Sequence, residues 1–160
     1  MNGWENFFLG ELGASATLTG LIFVGVSVNL KTITTRVTLT NRALEALVAL
    51  IVVLFICSLL LIPGQTMFAT GIEVLLIGLI NWMIVSFLQL NSLRKMQPQY
   101  RLQFVPYIVL SQSATLSFVS AGVVLLILGT GGLYWIVAAT LLSFFAAFTD
   151  AWILLIEINR

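Results

Sequence analysis

The sequence predicts an all-α integral membrane protein: a five-helix transmembrane bundle with its N-terminus outside and its C-terminus inside. Three observations carry this. Of 160 residues, 60% are hydrophobic and only 8% are charged, where a soluble domain carries about 25%. So few charges cannot cover a water-facing surface, and the mean hydropathy is +1.11. The apolar residues also gather into five blocks, each near the roughly 20 residues needed to cross a hydrocarbon core. Finally, the basic residues fall on alternate connections, so five crossings put them all on one side. The whole chain, 1–160, reads as a single transmembrane domain.

The first span covers about 6–30. Its outer half, "LGELGASATLTG", has the composition of a loop, but it runs unbroken into "LIFVGVSVNL". It reads as a helix whose small residues admit a close neighbour, with a re-entrant or interfacial segment as the alternative. The start "MNGWENFF" lacks a basic n-region, so the segment is expected to be retained rather than cleaved.

The second span covers about 41–62. Thr40 or Asn41 is expected to cap it, with Glu45 near the positive end of its dipole. Pro63 and Gly64 end it. The third covers about 71–93, with Glu73 in its first turn. "RKMQPQYR" is a polar connection to the fourth, about 105–128. "GTGG" is a tight turn into the fifth, about 132–158, which makes the last two spans an antiparallel hairpin.

Lys31, Arg36 and Arg42 flank the first connection, Arg94, Lys95 and Arg101 the third, and Arg160 ends the chain. That side should be the cytoplasm. Trp4, Tyr134 and Trp135 then lie at the outer boundary, and Tyr100, Tyr107 and Trp152 near the inner one. Trp82 falls mid-helix.

Lipid offers no hydrogen-bond partner, so polar groups within spans should face other helices or a water path. Gly13, Ala16, Thr17, Gly20 and Ser27 form one small-residue stripe. Ser113, Ser117 and Ser120 form another. Each reads as a packing surface within the bundle, or as a subunit interface or pore lining. By rise per residue, Asn81 lies near mid-membrane, while Gln89, Gln112 and Asp150 lie inside the cytoplasmic boundary, with Asn29 approaching them. Asp150 has three readings. It pairs with Lys31, Arg42 or Arg94; it lines an aqueous vestibule that attracts cations; or it is a protonatable group in coupled transport. Glu11 and Glu73, on the outer side, are either charges at helix N-termini or members of acidic rings in a symmetric assembly.

The chain has no histidine, which removes imidazole metal sites and Ser-His or Cys-His catalytic pairs. Cys57, the lone cysteine, sits in an apolar run and reads as a small core residue. There is no phosphate-binding glycine loop and no zinc signature. No enzyme activity, cofactor, metal site or nucleic-acid partner is expected. The basic loops suit anionic lipid headgroups.

"GELGASATLTGLIFVGVSVNL" followed by "LTNRALEALVALIVVLFICSLLLIPGQ" resembles a family of small uncharacterised bacterial multi-pass integral membrane proteins. That family carries an "LTGLxFVxxSxNL" block, then an "RAxExL" block ending in "PxQ". The resemblance spans about the first 65 residues. It implies a bacterial cytoplasmic (inner) membrane location and no particular activity. A 160-residue bundle has little room for a substrate cavity, so the expected function is a homo-oligomeric ion channel or small-solute pathway with cation preference. Its ligands would be membrane lipids and an inorganic cation. The alternatives are an accessory or regulatory subunit that binds another membrane protein, and a lipid-interacting structural protein.

Overall fold

The computed structural model describes residues 3–97, 99 and 101–158. Tyr100 and Arg160 lie outside them. Among the described residues there is no strand. The elements are α1 (Glu5–Val28), the one-turn α2 (Leu30–Ile33), α3 (Val37–Leu60), α4 (Met67–Lys95), α5 (Arg101–Leu128) and α6 (Leu133–Ile158). A 3-10 turn, Gly129–Gly132, joins the last two. Four segments are long and apolar enough to cross a membrane. The last of these, Phe104–Ile156, is the α5–α6 hairpin read through its turn, so the long helices number five.

Helices α3, α4, α5 and α6 pack in a closed ring, each on the next and α6 back on α3. Helix α1 lies outside this ring, mainly against α3. The core holds Val53, Ile56 and Cys57 of α3, Val74 of α4, Phe118 and Leu125 of α5, and Ile136 of α6, with Phe8 reaching in from α1. Cys57 is buried, in keeping with a core role. Between apolar helices in lipid, close packing and interhelical hydrogen bonds supply the attraction that water supplies elsewhere.

Three helices begin a turn earlier than the sequence predicts, α5 among them, at Arg101 rather than about 105. In α3 the extended residue is Arg36, and Asn41 and Glu45 sit inside the helix rather than at its cap. The extra turn buries Leu39 with Ile33, Ala43 and Leu154, and that contact outweighs the capping preference of Thr40 and Asn41. In α4, Thr66 is the cap: its side chain accepts from the Ala69 N–H at 3.2 Å. This follows a turn at Gly64, whose φ of +74° suits glycine. Glu73 therefore lies beyond the first turn, where its carboxylate accepts from Gln65 Nε2.

Close helix approach also occurs elsewhere than expected. A methyl group added at Gly122 of α5 would stand 2.6 Å from the Leu75 backbone nitrogen of α4, and one at Gly78 would meet the Val119 nitrogen at 3.0 Å. Glycine is what lets α4 and α5 touch backbone to backbone. On α1, by contrast, Gly13 and Gly20 have open space around them, and Ala16, Thr17 and Ser27 are exposed as well. This stripe lies on the exposed side of α1, which turns its opposite face to α3. There Ser15 is buried, and its hydroxyl donates to the Leu50 carbonyl.

The two ends of the bundle differ in chemistry. At one end Trp4 and Tyr134 meet edge-to-face at 4.9 Å, with Phe7 and Phe8 beside Trp4. The connections at the other end carry Lys31, Arg36, Arg94, Lys95 and Arg101.

Candidate functional site

Arg42 lies in the second turn of α3, and Glu45 follows three residues on, so both point from one face of that helix. This face turns into the ring. Arg42 Nη1 donates to Asp150 Oδ1 of α6 at 3.1 Å. The guanidinium also lies over two rings of α5, Phe104 at 4.7 Å and Tyr107 at 4.6 Å to their centroids. A cation in an apolar bundle needs such company: one carboxylate and two aromatic faces replace the water it has lost. Both residues are buried.

Glu45 opens a second arm of the cluster. Its Oε2 accepts from Gln89 Nε2 of α4 at 3.1 Å. Gln89 Oε1 in turn accepts from Gln112 Nε2 of α5 at 2.9 Å, and the same amide group reaches Ser86 Oγ at 3.2 Å. Gln112 Oε1 accepts from Trp82 Nε1 at 2.9 Å. A continuous polar path thus runs Trp82–Gln112–Gln89–Glu45 across three helices. It accounts for the mid-helix tryptophan, whose N–H needs a partner where there is no water. Nearby, Asn41 Nδ2 donates to the Leu88 carbonyl at 3.1 Å and to Ser92 Oγ at 2.9 Å, tying α3 to α4.

Beside Glu45 and Asp150 is a small chamber. Asn81 of α4, Ser111 and Thr115 of α5, and Ser143 of α6 share its walls with them. Its volume is about 10 Å³, room for about one water-sized guest. Two acceptors on its walls, Glu45 Oε1 and Asn81 Oδ1, are buried without a hydrogen-bond partner.

Of the polar-pathway candidates, Asn81, Gln89, Gln112 and Asp150 come together here. Asp150 takes Arg42 from among the three cations considered for it. Glu11 and Glu73 stand apart from the cluster. Glu11 is half-buried on α1, with one carboxylate oxygen buried and unpartnered. Asn29 also stays outside: its Nδ2 donates to its own helix at the Gly25 carbonyl, 3.0 Å away. Ser113, Ser117 and Ser120 donate to carbonyls of their own helix, Leu110, Ser113 and Ser117. Those bonds satisfy the hydroxyls without a neighbour.

Sequence reasoning offered Arg42 as one of three possible partners for Asp150 and assigned Glu45 to a helix dipole, and so did not bring Arg42 and Glu45 together as the pair around which the cluster is built. The available signal was their three-residue spacing with Ala46 and Ala49 on the same side, a polar pair facing an apolar run.

Compared with family models, with curated proteins and with solved structures, the chain matches none.

Proposed function

We propose that this protein is a homo-oligomeric, cation-preferring ion channel or small-solute pathway of the bacterial cytoplasmic membrane, N-terminus out and C-terminus in, related to the small bacterial membrane proteins it resembles. The observation that carries this reading is the buried cluster of Arg42, Glu45 and Asp150 within an apolar ring of helices. Ionisable groups at such depth are expensive, and they mark ion or proton pathways where they occur. Two carboxylates against one guanidinium give the cluster a negative balance, which favours cations. Gln89, Gln112 and Asn81 extend it with neutral polar atoms.

The assembly is supported by α1, whose exposed face carries Gly13, Ala16, Thr17, Gly20 and Ser27, the residue types that let membrane helices approach closely. Glu11 sits on a different side of α1, so an outer acidic ring falls to Glu73 in this arrangement. The same α1 face also suits the second reading, an accessory subunit docked on another membrane protein.

Mass measured in mild detergent separates the two. An oligomer that dissociates in Gly13→Leu and Gly20→Leu is expected. Vesicles holding the oligomer should pass monovalent cations, and Glu45→Gln or Asp150→Asn should lower that flux. A strict monomer, or flux unchanged in both acid variants, overturns the pathway. A C-terminal reporter active only in the periplasm should stay silent, and activity there would reverse the orientation.

A further inference from the structure

The chamber beside Glu45 is distinct from the hydrogen-bonded path, because two of its wall atoms take no part in that path. Glu45 and Asn81 are 6% and 2% exposed, and each keeps one oxygen unpartnered. Both atoms are acceptors. A buried acceptor left unmet costs about 1–3 kcal/mol, and more when it belongs to a charged group. The hydroxyls of Ser111, Thr115 and Ser143 join them on the wall, whose remaining residues apart from Asp150 are the apolar Ala49, Val85, Ala114 and Ala146, with no sulfur or imidazole.

Charge narrows the guest. The described side chains of the cluster bring two carboxylates, Glu45 and Asp150, and one guanidinium, Arg42. Asp150 spends its charge on Arg42. Glu45 receives the neutral amide of Gln89 and the hydroxyl of Ser111, and it shares the field of Arg42 with Asp150. With both carboxylates ionised, the described cluster carries one negative charge more than it has cations, and in a medium that tolerates unpaired charge poorly either a proton or a cation must answer it. A water molecule would meet both acceptors but leave that charge in place. A divalent cation would overshoot it. Oxygen ligands of this kind suit alkali and alkaline-earth ions over transition metals.

We propose that the chamber between Glu45 and Asn81 binds one small monovalent metal cation, sodium foremost. Carboxylate Oε1 and amide Oδ1 are its principal ligands, with the hydroxyls of Ser111, Thr115 and Ser143 around it. The small volume admits only a cation stripped of its hydration shell, and the smaller radius of sodium, held by a carboxylate oxygen, fits it better than potassium despite sodium's greater cost of dehydration. The site uses the same cluster as the transport reading, but binding at equilibrium requires no flux. A site that holds sodium without passing it would leave this proposal standing and remove that reading.

The test is thermal unfolding of the detergent-purified full chain at mildly alkaline pH and constant ionic strength, with sodium, potassium or choline chloride. A saturable rise of the midpoint with sodium is expected, with a weaker response to potassium and none to choline. Glu45→Gln should abolish the sodium response. Asn81→Ala should move it to several-fold higher sodium, read against that variant's own midpoint in choline. If Glu45→Gln fails to fold, calorimetric sodium titration of the wild type and Asn81→Ala decides alone. An equal response to all three salts overturns the site. So does a midpoint that rises on acidification but not with sodium, which would assign the chamber to a proton or a water.

Discussion

Arg42 and Asp150, 108 positions apart in the chain, meet at 3.1 Å inside the bundle and lock α3 to α6. Removing one member of a buried pair leaves the other charged and alone, which costs about 3–5 kcal/mol. Asp150→Leu should therefore destabilise strongly, with Arg42 held only by the rings of Phe104 and Tyr107. Arg42→Met in the Asp150→Leu background should recover much of the loss, since no charge then remains stranded. Unfolding in graded detergent mixtures reads both. Equal stability of wild type and Asp150→Leu would mean that the pair is solvated rather than buried.

The glycine contacts between α4 and α5 give a contrast that can be measured in one experiment. Gly122→Ala and Gly78→Ala force backbone apart, and overpacking of this kind costs about 1–3 kcal/mol. Gly13→Ala and Gly20→Ala meet nothing within the chain and remove glycine from a helix interior, so the stability of the single chain should hold or rise slightly. Midpoints measured on all four variants check this. A loss at Gly13 as large as that at Gly122 would contradict the placement of α1.

Trp82 reports on the polar path directly. In a variant keeping Trp82 alone, with Trp4, Trp135 and Trp152 changed to Phe, Gln112→Leu removes the acceptor of the indole N–H. Its emission should shift to the blue while helicity stays constant. No shift would show that this indole is not bonded to Gln112.

The helices were legible because their signal is local. Each block of apolar residues declares its own length, and the basic loops declare which ends lie together. The partners were not legible, because each is a choice among distant segments. Nothing in "TNRALEAL" says that Arg42 will find Asp150 rather than solvent, and a flanking arginine beside a cap-like Asn41 is the ordinary pattern. The burial of Leu39 adds a helical turn and so draws both Arg42 and Glu45 inside. The partner of the α1 stripe was not legible for a related reason. Small residues announce that a close approach is tolerated, but not which helix makes it. On α4 and α5 the decisive glycines are isolated single positions, and they acquire meaning only when the two helices are laid side by side. Gln89, Gln112 and Asp150 were found by depth alone, because depth follows from counting residues along a helix.

The placement of α1 outside the ring has a consequence for parity. Helices α3 to α6 are even in number and return the chain to the end from which it set out. With α1 the count is odd, so the first and last helical residues, Glu5 and Ile158, finish at opposite ends. Two copies joined head to tail through a short linker would therefore stand upside-down to one another. Two copies of the four-helix ring alone, joined in the same way, would stand parallel. One appended helix thus decides whether a duplicated chain becomes an inverted or a direct repeat.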